Sequence, residues 1–286
     1  TDGLQDFFAL GAAFVANGHH RGLVQNDAFV ANKNEGIGCT QVNGQIGRKI
    51  TAANLADICA MGGWPEYLLV TAVIPHDWLT DAIELVKGIS HEAALVGAAV
   101  IGGDLAKGNQ LSISITAIGY TNKEILRSGA RPGDLVVVSK VPGWSAAGLE
   151  LLKSGSARND IHALRAIAQH RAPKIDYEKY RAAFPYLKSA IDISDGLVCD
   201  AGHIANSSKV TINLFSQKLR DLELATLGDA TNWILAGGED HELLGTTSEV
   251  QSLQDFAVIG EVTASSSPQV LLDGSALNIS GYQHEW

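Results

Sequence analysis

Three times in this chain an apolar run stops against glycine and carboxylate. The sharpest case is Ala190-Ile191-Asp192-Ile193-Ser194-Asp195-Gly196-Leu197, where a short strand-like segment meets a serine, two aspartates and a glycine before a helical stretch. A strand that ends this way opens onto a helix N-terminus, whose free backbone N–H groups attract phosphate while the aspartates can hold the Mg²⁺ travelling with it. Simple capping draws on the same residue types, because Asp and Ser are ordinary N-caps. Two further corners favour the ligand reading: Ile101-Gly102-Gly103-Asp104 follows the apolar run Gly97 to Val100, and Gly237-Gly238-Glu239-Asp240 follows Trp233-Ile234-Leu235. Paired glycines let a ligand approach the backbone, and acidic ends on three apolar elements point to one shared polyphosphate and metal site.

With 286 residues, 46% of them hydrophobic and 18% charged, the chain can bury a large core, as one large domain or two medium ones. No apolar run reaches the roughly 18 residues of a membrane span. The first residues lack the basic region of a signal peptide, so a cytoplasmic location and no membrane partner are expected. Cys39, Cys59 and Cys199 are far apart with no C-x-x-C, so neither a disulfide framework nor a zinc cluster is expected, and all three read as small core residues. The formal charge of −10 argues against nucleic acid and favours a metal-bridged or cationic ligand.

Periodicity predicts α/β or α+β architecture in two lobes, with a change of domain near residue 125 giving domains 1–125 and 126–286. Gly22 to Val30 reads as a strand interrupted by Asn26-Asp27, and Gly47 to Met61 as a helix closed by Gly62-Gly63. On that helix Ile50, Asn54, Asp57, Ile58 and Met61 share one face, so Asp57 lies in an apolar stripe. A carboxylate there must be paired, hydrogen-bonded or metal-bound, and Arg48 and Lys49 are the ordinary alternatives to a metal. Tyr67 to Ile74 reads as a buried strand, Asp77 to Val96 as a helix, and Leu111 to Ala117 alternates as a half-buried strand. Beyond the turn Arg131 to Asp134, a strand is expected at 135–138 and a helix at 144–153. More helices run to Leu187, another follows the Asp192–Asp195 corner to about Ser207, and strands fall near 210–214, 243–246, 257–262 and 269–272. Trp144, Trp233 and Trp286 read as packing residues, and His19-His20 as an exposed turn rather than a metal site.

The motifs Asn54-Leu55-Ala56-Asp57-Ile58-Cys59-Ala60-Met61-Gly62-Gly63, Gly102-Gly103-Asp104, Arg127-Ser128-Gly129-Ala130-Arg131-Pro132-Gly133-Asp134, Asp192 to Leu197 and Gly237 to Leu243, in this order, resemble the thiamine-monophosphate kinase family, within the superfamily of aminoimidazole ribonucleotide synthetase. The resemblance implies an N-terminal α/β domain whose mixed sheet joins that of a second subunit in a barrel-like homodimer interface. It also implies a C-terminal α/β domain, with ATP bound between the two. It further implies that Asp27, Asp57, Asp104, Asp192 and Asp195 are Mg²⁺ ligands, that Gly102, Gly103, Arg127 and Ser194 contact ATP, and that Asn34, Glu239 and Tyr282 stand at the acceptor.

The chain departs from the family pattern in its first third. The family's opening Gly-Asp-Asp-Ala-Ala-Val is Leu10-Gly11-Ala12-Ala13-Phe14-Val15 here, and Thr-Thr-Asp is Gln25-Asn26-Asp27. An acceptor-contacting histidine aligns with Asn34, a tyrosine near the adenine with Val86, and the residues after Gly-Gly-Asp include Ala106-Lys107-Gly108. Three functions stay open at this point. One is ATP- and Mg²⁺-dependent phosphorylation of thiamine monophosphate. The others are phosphorylation of a hydroxyl on another cationic small molecule such as an amino-sugar, and nucleotide binding without turnover. In the first two, Asp104, Asp195 and Arg127 carry catalysis by neutralising charge, and N–H groups of a helix starting at Asp195 hold phosphate oxygens. An ionised phosphate acceptor needs no base, whereas for an alcohol Glu239, Asp240 or Asp27 is the candidate.

Overall fold

The computed structural model describes residues 12–17, 20–31, 43–155, 160–253 and 255–277. The chain divides into two compact units, Thr1–Glu124 and Ile125–Trp286.

In the first unit β1 (Ala12–Asn17), β2 (His20–Ala31), β3 (Trp64–Ile74), β4 (Ala99–Lys107) and β5 (Leu111–Thr121) form one sheet in the order β1-β2-β5-β3-β4. Neighbours are antiparallel except β3 and β4, which are parallel and joined by the crossover helix α2 (Ala82–Val96). The alternation in β5 does what it predicts: Leu111, Ile113, Ile115 and Ala117 are buried while the residues between them are partly open. Helix α1 (Asn43–Ala60) covers the inner face, touching β2, β3 and β5.

Glycines set how closely α1 and α2 approach. A Cβ on Gly88 would lie 2.0 Å from the carbonyl oxygen of Gly44, and one on Gly47 would lie 2.2 Å from that of Leu85. The two backbones therefore touch, and this contact seats the helix that carries Asn54 and Asp57.

Three expectations for this unit are corrected. Asn26-Asp27 does not interrupt β2, which pairs with β5 without a break from Arg21↔Thr121 to Ala31↔Leu111. The backbone ladder is indifferent to side-chain polarity, and Asn26 Oδ1 accepts the Ser114 hydroxyl at 2.7 Å across the strands. β3 is not buried on both faces, since Tyr67 and Leu69 are each 38% exposed. The helix expected from Asp77 starts at Ala82, after a 3₁₀ turn at His76–Trp78.

In the second unit the strands are β6 (Leu135–Val138), β7 (Ser189–Asp192), β8 (Val210–Leu214), β9 (Leu243–Thr247), β10 (Ala257–Ala264), β11 (Gln269–Leu272) and β12 (Ser275–Ala276). They form a sheet in the order β12-β11-β8-β10-β6-β9-β7. The helices are α3 (Trp144–Ser154), α4 (Ile161–Arg171), α5 (Tyr177–Ala183), α6 (Leu197–Ser208), α7 (Leu222–Ala225) and α8 (Ala230–Ala236). The apolar strands expected here are present, and Val136, Val138, Ile191, Ile212, Leu214 and Leu244 join one core. Asp160, Asp176, Asp221 and Asp229 each accept a backbone N–H at a helix start, each cap contributing about 1 kcal/mol. Trp144 and Trp233 are buried with their ring N–H groups on Asp221 and Glu150, as packing residues require; Trp286 lies outside the described residues.

Gly88→Ala is expected to lower stability by roughly 1–3 kcal/mol, because the added methyl pushes α2 off α1. Chemical denaturation checks this, and an unchanged midpoint refutes the close backbone contact.

Candidate active site

Strand β7 delivers Asp192 as its last residue, and Ile193 to Gly196 lead into α6. Asp200, one turn into α6, reaches back to this loop. Its Oδ2 accepts the backbone N–H groups of Ser194, Asp195 and Gly196 at 3.1, 3.1 and 3.2 Å. These are the donors that the sequence left open to phosphate, so the structure corrects that expectation. The helix begins at Leu197, not Asp195, and the loop N–H groups are occupied by a carboxylate of the same chain. Gly196 sits at φ 118°, and a Cβ there would lie 2.7 Å from the carbonyl oxygen of Ala236.

The second glycine–acid corner comes to the same place. Helix α8 ends at Gly237, and an extended segment crosses behind the loop: Glu239 N–H donates to Ser194 O, His241 N–H to Ile193 O, and Ile193 N–H to Glu242 O, each at 2.9 Å. A Cβ on Gly238 would lie 2.1 Å from Ser194 O, which explains the glycine. Glu239 and His241 take φ of 63° and 54°, a left-handed conformation that costs of order 1 kcal/mol and is held by these bonds. Within the second unit, then, Asp192, Ser194, Asp195 and Glu239 form one cluster.

Buried groups support that cluster. His241 Nδ1 lies 3.0 Å from Asp192 Oδ2, and His170 Nδ1 lies 3.5 Å from Glu239 Oε2 and 3.2 Å from the Ser145 hydroxyl. Asp240 is no surface base: its carboxylate accepts Gly143 N–H at 2.6 Å and Ser145 N–H at 3.0 Å, at the start of α3. Burial pushes its carboxyl up to about 6 against those two bonds. Glu242 accepts the Ser139 hydroxyl at 2.5 Å, and burial pushes it up to about 7.

The charge pattern suits a divalent cation. Burial first, and the carboxylates of Asp192 and Asp195 with it, raise Asp200 to about 8 against its N–H bonds. Like charges crowded this way are relieved by a metal, and oxygen donors are what Mg²⁺ takes. Arg127 lies in a 3₁₀ turn, Arg127–Gly129, that packs on α6, its carbonyl accepting the Ser208 hydroxyl at 2.8 Å.

The remaining sequence-predicted residues belong to the first unit or lie outside the described residues. Asp57 is half-buried on α1, and the alternative partner Arg48 instead pairs with Glu92 at 3.0 Å. Asn54, its neighbour on the apolar face, is fully buried and donates to Ile50 O at 2.9 Å, while its Oδ1 has no partner. Gly102, Gly103 and Asp104 do not end a strand but lie within β4, which is exposed along its whole length. A Cβ on Gly103, at φ 149°, would collide with Val70 O at 1.7 Å. Asp27 is in β2 opposite Ile115. Val86, aligned with the family's adenine-side tyrosine, is exposed on α2. Asn34 and Tyr282 lie outside the described residues, as does Cys39.

The sequence did not single out Asp200, His241 as a partner of Asp192, or Cys199 and His203. Cys59 is buried as expected, but Cys199 is not a core residue: it is half-exposed, with Sγ 4.0 Å from His203 Nε2. Part of the signal was present as i, i+4 spacing, since 199 and 203 fall on one side of α6, with 195 in the loop before it.

A family model described as "AIR synthase related protein, N-terminal domain" matches residues 11–121, which gives the class of the first unit. A thiamine-monophosphate kinase from Aquifex aeolicus is 33% identical over 250 residues, covering 84% of this chain and 80% of the relative. One from Corynebacterium glutamicum is 34% identical over 260 residues, 87% and 78% of the two chains. Among solved structures, AaThiL complexed with AMPPCP and TMP superposes with a TM-score of 0.91 at 28% identity, over 99% of this chain and 96% of that one. The chain belongs to the thiamine-monophosphate kinase family.

Asp200→Ala is expected to cost about 2–4 kcal/mol, because three N–H donors, one buried and two partly so, lose their acceptor, whereas Asp200→Asn, which keeps one oxygen, stays within about 1 kcal/mol of the parent. Denaturation of both variants tests this, and equal losses refute the anchoring role. Glu242 contributes a pH dependence of fixed sign. Its carboxyl is raised from 4.5 to about 7, so the folded state holds a proton that the unfolded state releases. Its stabilising contribution is complete below the unfolded value and is lost as pH rises through the folded one. Glu242→Gln is therefore expected to gain on the parent by roughly 2–3 kcal/mol at about pH 8 and to lose most of that advantage by about pH 5. A constant difference in melting temperature across that range refutes the assignment.

Proposed function

We propose that this chain transfers the γ-phosphoryl group of ATP to thiamine monophosphate, giving thiamine diphosphate and ADP. The observation that carries this reading is the match of nearly the whole chain to AaThiL complexed with AMPPCP, an ATP analogue, and TMP. The carboxylate cluster around Asp192 and Asp195 supports it.

Phosphoryl transfer asks a protein for positioning and for neutralisation of charge. Asp192 and Asp195 would hold Mg²⁺ in the second unit, and the family resemblance adds Asp27, Asp57 and Asp104 as candidate ligands; when bound, the ion would supply neutralisation of the triphosphate. Arg127 would add a fixed positive charge on the nucleotide, and the family resemblance makes Ser194, Gly102 and Gly103 candidate nucleotide contacts. Asn34, Glu239 and Tyr282 orient the acceptor. Its phosphate is ionised at neutral pH, so no residue has to remove a proton before attack. The burial of Asp240 fits this, since that carboxylate caps α3 rather than facing a substrate.

A homodimer is part of the proposal. The exposed edge strand β4 carries Val100, Ile101 and Leu105 beside the outward Tyr67 and Leu69 of β3, an apolar surface suited to a second copy of the chain. A cytoplasmic setting follows from ATP as donor. No helix among the described residues is long and apolar enough to cross a membrane.

ADP formation measured with thiamine monophosphate and with a panel of amino-sugars tests the reading. Turnover is expected with thiamine monophosphate and Mg²⁺, falling roughly 100-fold or more in Asp195→Asn and Asp104→Asn. Near-parental turnover in Asp195→Asn, or faster turnover of an amino-sugar, refutes it.

A further inference from the structure

Helix α6 begins with a donor set that magnesium does not use. Asp195, Cys199, Asp200 and His203 each place one ligand atom within 4.8 Å of all the others. Cys199 and His203 lie one turn apart on α6 and Asp195 stands in the loop just before it, so a carboxylate, a thiol and an imidazole meet at the helix start. The Sγ···Nε2 separation of 4.0 Å is close to the about 3.5 Å that a tetrahedral zinc sets between a sulfur and a nitrogen ligand. Cys199 is half-exposed and His203 exposed, which leaves the pair open to an ion from solution. Asp200 uses Oδ2 for the loop N–H groups, so its part is to hold the loop that carries Asp195. Arg127, whose charge reaches His203, is the opposing cation, set against two carboxylates.

We propose that Cys199, His203 and Asp195 form a binding site for a thiophilic divalent cation of the zinc class, and that this ion competes with magnesium because Asp195 is common to both. Thiolate and imidazole select zinc or cobalt over magnesium, which requires oxygen donors. On binding, the thiol releases its proton to solvent and the thiolate and imidazole each donate a lone pair; no oxidant or reductant enters. Three protein ligands leave a fourth position for water. The cation site itself stands on α6 and the loop before it, whereas the competition rests on the magnesium role proposed for Asp195.

The experiment uses the full chain, stripped with a chelator and titrated with Co²⁺ and then Zn²⁺. A near-ultraviolet thiolate-to-cobalt absorption band is expected, saturating at about one equivalent and removed by zinc. Cys199→Ser is expected to lack the band while keeping the parental melting temperature, and His203→Ala to weaken cobalt binding about tenfold or more. No band in the parent, or an equal band in Cys199→Ser from Cys39 or Cys59, overturns the site. In the ADP assay, zinc is expected to inhibit in competition with magnesium, and Cys199→Ser to need about tenfold more zinc for the same inhibition. Equal inhibition of parent and variant overturns the competition. Absence of all turnover with thiamine monophosphate counts against the kinase reading alone, because the cobalt band is read without catalysis.

Discussion

The carboxylate of Asp200 holds the loop between β7 and α6 in shape. One oxygen gathers three consecutive N–H groups, and the loop from Ser194 to Gly196 is bent around it. Without that acceptor the loop would have three donors to satisfy and no reason to present Asp195 beside Asp192. The arrangement works against two costs, burial of a charge and the proximity of two more carboxylates, and both push the Asp200 carboxyl toward its neutral form. A cation at Asp192 and Asp195 relieves the second cost. The loop's own N–H groups face inward to Asp200.

Around this anchor lies a floor of buried polar groups in an irregular segment. Residues 237–242 make no regular ladder of their own, so each polar group needs a separate partner. Glu239 and His241 N–H groups bond to the loop, Asp240 caps α3, Glu242 takes the Ser139 hydroxyl, and the Tyr180 hydroxyl donates to His241 O at 2.7 Å. Asp192, with His241 on Oδ2, is oriented from behind by the same segment. The two corners are one structure because each completes the other's hydrogen bonding.

Much of the architecture was legible in residue periodicity. Alternation marked β5, compact apolar runs marked β6 to β10, and the glycine after Val96 marked the end of α2. Errors fell where periodicity carries no information. Asn26-Asp27 read as a break because their side chains are polar, yet the ladder with β5 runs through them. The Gly102-Gly103-Asp104 group read as a strand end because the apolar run stops there. β4 is an edge strand and needs no apolar run to continue. Asp57 on an otherwise apolar helix face was visible from spacing alone, since 3.6 residues per turn leave little freedom over which side chains share a face.

Sequence alone determined that carboxylates and glycines sit at abrupt ends of apolar elements, and that their order resembles a kinase family, because residue identity and spacing are local properties. Tertiary structure decided which of those groups meet and what each does there. It turned Asp240 from a candidate base into a cap and Asp200 from an unremarked helix residue into the anchor of the loop. It also moved Cys199 from the core to a place beside His203. The physical reason is that a carboxylate's role follows from which donors and charges surround it, and whether these come from the preceding loop, as for Asp200, or from the distant start of α3, as for Asp240, is settled only by the fold.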